Sequence, residues 1–233
     1  MSITLVRIGP VDDWVRTIAL HLHTDPVVVG TASEDLDAVL GSLGERRLVL
    51  SANVTGLNAT VLRLIRRDQV GEVPLGWVAD VDKASRVLCR QLGLPKRPTL
   101  AADVAAGEEV RKIGLVRDDH GGLLLHHGRL SAWGGAPTFG AQSYHDNARA
   151  ADGPVRRIDV HPDYAVACGV TATVVTPGLL RRATRSTGRS VQTACDEALS
   201  IVDGLPFRRP VRKWTWYADP RQHWLLRAPQ RSD

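Results

Sequence analysis

The first part of the chain alternates between short apolar runs and segments with helical spacing, and this alternation constrains the fold more than any other feature. The predicted strands are residues 3–8, 26–30, 47–50 and 73–78. The predicted helices between and after them are residues 14–21, 34–43, 58–67 and 82–92. Continuous apolar strands that alternate with helices predict a parallel sheet covered on both faces. We therefore expect a mostly parallel, three-layer α/β domain over residues 1–100.

The rest of the chain, residues 101–233, consists of short β-like runs separated by turn signals. Residues 118–122 (D-D-H-G-G) lie between two such runs and predict a hairpin turn, whereas residues 131–151 are rich in Gly, Ala and polar residues and predict a long loop. Strands without intervening helices predict an antiparallel β-sandwich. The predicted fold class is therefore α/β, with a C-terminal β-rich domain after the α/β domain.

Composition excludes several classes of protein. The chain has 233 residues, of which 43% are hydrophobic and 24% charged, and this argues against wholesale disorder. Cys89, Cys168 and Cys195 are far apart and form no C-x-x-C pair, so we expect neither a disulfide framework nor a cysteine zinc site. There is no signal-peptide pattern and no apolar run of about 18 residues. We expect a cytoplasmic protein without a transmembrane segment.

Histidine and serine patterns predict no metal site and no hydrolase. His21 and His23 are spaced so that they point apart on a helix. His126 and His127 are adjacent in a predicted strand and should face opposite sides of it. Since there is no H-E-x-x-H spacing and no G-x-S-x-G elbow, no metal ligands and no catalytic residues are predicted.

The turn after the third predicted strand is the candidate ligand site. A strand-to-helix turn places backbone N–H groups at a helix N-terminus, where phosphate is favoured. Ligands of open parallel sheets lie outside the carboxyl ends of the strands, which here include residues 51–56 and 76–80. The alternative is an ordinary turn in which Asn53 or Thr55 caps the helix.

Three short motifs resemble those of the diacylglycerol kinase-like lipid kinases, which share a two-domain architecture with NAD kinases. Residues 51–55 read S-A-N-V-T where that family has G-G-D-G-T, and residues 74–80 read P-L-G-W-V-A-D where it has P-L-G-T-G-N-D. Residues 202–205 read V-D-G-L where the family has V-D-G-E. The resemblance covers most of the chain.

This resemblance implies phosphoryl transfer from ATP, with Mg²⁺, to a lipid hydroxyl if the protein is active. The residues that it implies for phosphate contact and for the lining of the cleft are Ser51, Asn53, Thr55, Gly56, Gly76 and Asp80.

Departures from the family pattern favour an inactive alternative. Asn53 replaces a carboxylate that would organise Mg²⁺. Val54 and Val78 stand where glycines would let the backbone approach a ligand closely. Leu205 cannot act as a general base where the family has a glutamate. The alternative is a catalytically inactive, lipid- or nucleotide-binding regulatory protein without a cofactor.

A basic and aromatic stretch near the C-terminus suggests a partner. Arg212, Trp214 and Trp216 alternate, so they should share one face of a strand. Such a face suits a lipid or an anionic membrane surface, with a peripheral location at the membrane. Single-stranded nucleic acid is the less favoured partner. The alternative without a partner is a Trp-rich core strand beside solvated arginines. A second basic cluster, expected to be a solvated loop or strand end, consists of Arg181, Arg182, Arg185 and Arg189. The sequence does not fix the oligomeric state.

Overall fold

A computed structural model of the chain describes residues 2–165, 169–178 and 183–230. The chain forms two compact units, Met1–Ile113 with Gln222–Asp233 and Gly114–Arg221. The predicted domain boundary near residue 100 stays a prediction. Three residues singled out from the sequence, Cys168, Arg181 and Arg182, lie outside the described residues. No helix among the described residues is long and apolar enough to cross a membrane.

The first unit is a parallel sheet with helices. Its elements are β1 Ile3–Ile8, α1 Asp13–Leu22, β2 Val27–Val29, α2 Ser33–Gly41, β3 Arg47–Ala52, α3 Val54–Arg66, β4 Leu75–Ala79, α4 Lys83–Leu92 and α5 Pro98–Ala106. The strands pair in parallel in the order β4-β3-β1-β2. This confirms the α/β prediction, because each predicted strand overlaps an observed strand and each predicted helix overlaps an observed helix.

Two helices of this unit differ from the prediction. Helix α3 begins at Val54 rather than at Asn58, because the side-chain oxygen of Asn53 accepts a hydrogen bond from the Gly56 N–H (2.9 Å) and caps the helix earlier. Helix α5 was not predicted. It begins with Pro98, a residue favoured in the first helical turn, and it buries only alanines, which carry a weak periodic signal.

Helix α5 packs so closely against β4 that the backbones of the two elements are in contact at Gly76. A Cβ placed on Gly76 would lie 2.0 Å from the carbonyl oxygen of Ala105 and 2.7 Å from its carbonyl carbon. Ala101, Ala102 and Ala105 are all buried at this face. Gly76 is therefore required by packing, since any side chain there would push the helix off the sheet.

The second unit consists of antiparallel strands. The strands that follow α5 are β5 Val110–Asp118, β6 Leu123–Leu124, β7 Gly128–Ala132, β8 Phe139–His145, β9 Ala148–Val155, β10 Arg157–Asp163, β11 Gly169–Val175, β12 Ala183–Gly188, β13 Ser190–Val202, β14 Leu205–Pro206 and β15 Val211–Arg227. In this unit β12, β11, β10, β7 and β13 pair in that order, and β13 also pairs with the first part of β15. The division between the units falls within β5 and β15. In the first unit, Leu226 of β15 pairs in parallel with Leu75 of β4.

The predicted long loop over residues 131–151 is wrong. Strands β8 and β9 form an antiparallel hairpin there, with Phe139 opposite Val155 and His145 opposite Ala148. Inward-facing residues of β8 alternate with outward-facing ones, but they include Ala141 and Ser143. Small inward residues hide the period of two on which strand prediction depends.

The predicted hairpin turn at residues 118–122 is confirmed. Arg117 pairs with Leu123 across the turn, and Gly121 adopts φ +80°. The Asp118 carboxylate accepts hydrogen bonds from the backbone N–H groups of His120 (2.9 Å) and Gly122 (2.7 Å). An aspartate that bonds to its own turn in this way fixes the turn conformation.

We expect Gly76→Ala to lower the free energy of unfolding by about 2 kcal/mol or more, because the added methyl group overlaps the backbone of α5. Gly71→Ala is the matched control, since a Cβ at Gly71 meets no atom within 4 Å; its effect should stay within about 0.5 kcal/mol. Urea unfolding of both variants measures the difference. Equal stabilities would contradict the packing role of Gly76.

Candidate functional site

The carboxyl ends of β1, β3 and β4 meet at one edge of the first unit, where the Arg7 guanidinium joins them. The side chain of Arg7 is only 3% exposed. Its Nη1 donates to Ser51 Oγ (3.2 Å) and to the Asp80 carboxylate, and its Nε donates to the carbonyl oxygen of Pro10 (2.8 Å). Two predicted site residues, Ser51 and Asp80, are thus brought together through a third residue that sequence reasoning left without a role.

The loop after β1 leaves room for this guanidinium. Gly9 adopts φ +121°, a conformation that residues with side chains rarely adopt. A Cβ at Gly9 would lie 3.1 Å from Nη2 of Arg7. The sequence carried a signal for Arg7, because a single cation inside an apolar strand requires a buried partner.

Asp80 is the partner that compensates the buried charge. Burial raises the pKa of the Asp80 carboxyl above its ordinary value, and the hydrogen bond and charge of Arg7 oppose that rise. Breaking such a pair leaves an uncompensated charge in a poorly solvated place. The Asp80 carboxylate is therefore committed to Arg7.

The other predicted site residues also serve the local structure. Asn53 caps α3, which is the ordinary-turn alternative raised from the sequence. A Cβ on Gly56 would lie 2.8 Å from the Cβ of Ala52 and 3.2 Å from that of Ile8, so this glycine lets α3 pack closely on the strands. Thr55 is half-buried in the first turn of α3. Ligand contacts by these residues stay predictions.

The two valines that replace family glycines lie in different surroundings. Val54 is buried in the first turn of α3, beside the expected phosphate position. Val78 lies inside β4 and packs in the core with Leu5, Ile18 and Val49. The expectation that Val78 crowds a ligand-facing turn is therefore wrong, because the strand continues through this position to Ala79.

The residues at this edge do not fit a Mg²⁺–ATP complex. Mg²⁺ prefers hard, charged oxygen ligands. The side-chain oxygen of Asn53 is taken by the Gly56 N–H, and the Asp80 carboxylate is paired with Arg7. In the part of the chain that the structure describes, no group of three or more His, Cys, Asp or Glu side chains is placed to hold a metal ion.

In the second unit, Asp203 of the V-D-G-L segment organises a loop. Its carboxylate accepts hydrogen bonds from the backbone N–H groups of residues 125–127, at 2.8, 2.8 and 2.9 Å. Asp203 and Gly204 adopt φ +49° and +87°, as a two-residue hairpin turn requires. Leu205, at the family's glutamate position, is 57% exposed. The aspartate of this motif therefore has a structural role.

A second carboxylate of this unit, Asp159, lies among cationic neighbours that the sequence did not connect. It accepts hydrogen bonds from His127 Nε2 (2.9 Å), Arg129 Nε (2.7 Å) and Arg157 Nε (2.7 Å). Burial alone would raise the pKa of Asp159, but these three hydrogen bonds outweigh burial and hold that pKa well below its ordinary value. One carboxylate is therefore shared by two guanidinium groups and an imidazole, and the group keeps an excess of positive charge.

The prediction that His126 and His127 face opposite sides of a strand is wrong. Strand β6 ends at Leu124, because Asp203 turns the chain at residues 125–127. The two imidazole centroids lie 6.3 Å apart, and that of His127 stacks on His161 at 4.7 Å.

The basic and aromatic stretch forms part of the core. Trp214 and Trp216 are 1% and 0% exposed. Arg212 is exposed and pairs with Glu197, with Nη2 and Oε1 3.1 Å apart. The core-strand alternative is confirmed, and these indoles are not available to a membrane or to nucleic acid.

This fold is similar to solved structures of two kinase classes. A diacylglycerol kinase structure from Bacillus anthracis str. Sterne matches with a TM-score of 0.69 and 12% identity, over 98% of this chain and 97% of that chain. Another structure from that strain, inferred to be a diacylglycerol kinase, gives a TM-score of 0.72, 13% identity and the same coverage. An NAD kinase from Archaeoglobus fulgidus in complex with ATP gives 0.60 and 11%, over 97% of this chain and 93% of that chain. No family model and no curated protein matches the sequence. The similarity shows the fold.

We expect Arg7→Met to lower the free energy of unfolding at pH 7 by about 3–5 kcal/mol, because it leaves the Asp80 carboxylate without its cationic partner. Loss of Arg7 raises the pKa of Asp80 further, so the native state binds a proton more readily than the unfolded chain does. The free energy of unfolding should therefore rise as the pH falls from 7 to 5.

Urea unfolding of Arg7→Met and of Arg7→Met/Asp80→Asn at both pH values measures this effect. The double variant should recover much of the loss and show a flatter pH dependence. A double variant no more stable than Arg7→Met would refute the proposed pairing.

We expect Asp203→Ala to lower the free energy of unfolding by about 3 kcal/mol or more, because three backbone N–H groups lose a charged acceptor. Asp152→Ala, which removes an exposed carboxylate paired with Arg149, should cost less than about 1 kcal/mol. Thermal and urea unfolding compare the two. Similar losses would show that Asp203 does not hold the loop.

Proposed function

We propose that this chain, which has the fold shared by diacylglycerol kinases and NAD kinases, is a noncatalytic protein that binds an anionic lipid or a nucleotide and acts as a regulator. The observation that carries the proposal is the buried Arg7–Asp80 pair. In this pair Arg7 engages the carboxylate of Asp80, which the resemblance implies for the lining of the cleft. Asn53 stands where the family has its other carboxylate. Phosphoryl transfer depends on positioning and charge neutralisation by a metal, and the described residues at this edge include no group of three or more His, Cys, Asp or Glu side chains placed to hold one.

The charge of the chain supports an anionic ligand. The formal net charge is +5 at pH 7 and the pI is about 9.5. A basic protein attracts phosphates and anionic surfaces from solution. This suits a cytoplasmic protein that associates peripherally with a membrane or binds a free phosphate compound.

ATP-dependent phosphoryl transfer to a lipid hydroxyl, with Mg²⁺, is the second candidate. Two observations favour it: the similarity to diacylglycerol kinase structures and the ATP bound by the Archaeoglobus fulgidus NAD kinase. For this activity, Asp80 would have to leave Arg7 and Asn53 would have to leave the helix N-terminus. The first candidate needs neither change.

We expect no transfer of labelled phosphate from Mg-ATP to diacylglycerol in mixed vesicles above the rate without protein. An active diacylglycerol kinase serves as the positive control, and the purified full chain is the sample. Protein-dependent formation of phosphatidic acid would overturn the noncatalytic proposal and establish the second candidate.

We expect an anionic ligand to raise the stability of the chain without any need for Mg²⁺. A ligand at a hundredfold excess over its Kd raises the free energy of unfolding by about 2.7 kcal/mol. Thermal unfolding is measured with ATP in EDTA, with vesicles containing phosphatidic acid, with neutral vesicles and with a single-stranded oligonucleotide. Stabilisation by ATP or by anionic vesicles supports the proposal. No stabilisation, or stabilisation by the oligonucleotide alone, contradicts it.

A further inference from the structure

The first unit contains a cavity of about 430 Å³ beyond the carboxyl end of β4. Its walls come from α1, from α4, from the segment that follows α4, and from α5. The residues that matter for its chemistry are Trp14, Asp80, Arg86, Cys89, Arg90 and Lys96. A cavity of this size accommodates a small organic ligand.

The cavity wall carries three cations. Arg86 and Arg90 are one helical turn apart on α4, and Lys96 follows that helix. All three are exposed, and none of them forms an ion pair within residues 2–165, 169–178 and 183–230. Like charges four residues apart on a helix repel each other. The protein therefore maintains a repulsion here that a bound anion would relieve.

Neighbouring acidic groups neutralise these three cations only in part, because Asp82 supplies a single negative charge and Asp80 is paired with Arg7. The Asp80 carboxylate is paired with Arg7, and that of Asp82 accepts hydrogen bonds from the N–H and the hydroxyl of Ser85 at the start of α4. Burial raises the pKa of the Cys89 thiol to about 12, and the charge of Asp82 adds to the rise. The thiol stays protonated at neutral pH, so the cavity keeps a positive net charge.

Trp14 adds a second kind of recognition to the cavity. Trp14 lines this cavity and is half-buried. The indole ring itself offers a flat apolar surface for an aromatic group.

We propose that this cavity binds a soluble phosphomonoester that carries an aromatic group, of the nucleoside monophosphate class. The phosphate lies against Arg90, Arg86 and Lys96, because guanidinium groups match phosphate oxygens in pairs. The aromatic group packs against Trp14. This inference rests on the proposed function, since it names the ligand class and the place where the noncatalytic protein would bind it.

Calorimetric titration of the full chain with AMP, adenosine and inorganic phosphate tests the site. AMP should bind, whereas adenosine, which lacks the phosphate, and inorganic phosphate, which lacks the aromatic group, should bind at least about tenfold more weakly. In Arg90→Gln/Lys96→Gln, the affinity for AMP should fall at least about tenfold, because two charge-assisted contacts are lost.

Lys83→Gln/Arg97→Gln is the matched control. It removes the same charge from two exposed residues next to the same elements, and neither residue lines the cavity. Its affinity for AMP should change less than about twofold. Equal losses in the two double variants, or no binding of AMP to the wild-type chain, would overturn the site.

Trp14→Leu tests the aromatic surface separately. The aliphatic side chain removes the ring against which the aromatic group packs, so AMP should bind several-fold more weakly while the affinity for inorganic phosphate stays unchanged. An unchanged affinity for AMP with preserved folding would overturn the assignment of Trp14 as the aromatic contact.

The tests of the site and of the proposed function can fail independently. Phosphatidic acid formation from Mg-ATP would end the noncatalytic proposal, yet AMP binding that depends on Arg90 and Lys96 would still locate a phosphate site. Conversely, an inactive protein that is stabilised only by anionic vesicles keeps the proposed function and overturns this cavity.

Discussion

The ion pair between Arg7 and Asp80 determines what this edge of the sheet can do. A guanidinium that is 3% exposed must be compensated by nearby oxygens, and here the carboxyl ends of β3 and β4 and the loop after β1 supply them. Gly9 turns the chain so that the group fits, and Ser51 completes its hydrogen bonds. The Arg7 guanidinium therefore supplies the positive charge that compensates the Asp80 carboxylate at this edge.

The same small residues that make the chain resemble lipid kinases hold its layers together. Gly76 admits the backbone of α5, and Gly56 lets α3 approach β1 and β3. Both requirements belong to packing and hold whatever the activity of the chain. This explains how two weak motifs can indicate the fold correctly although Asn53 and Val54, inside the first motif, depart from the family pattern.

The sequence predicted the first unit well because its strands are uninterrupted apolar runs. It failed where the physical signal was weak: α5 buries only alanines, and β8 alternates small inward residues with polar outward ones. The start of α3 depended on a single capping bond from Asn53. The partner of Arg7 lies 73 residues away along the chain, and no local pattern reports such a contact. The cationic cavity was also missed, because its walls come from separate elements.

We infer that the Asp80 carboxylate is engaged by Arg7 and does not hold a metal. Titration of the isotopically labelled chain with Mn²⁺ in the presence of ATP, followed through its amide resonances, tests this claim directly. We expect no selective, saturable broadening of the resonances of Asn53, Gly56 and Asp80. Saturable broadening centred on these three amides would contradict it.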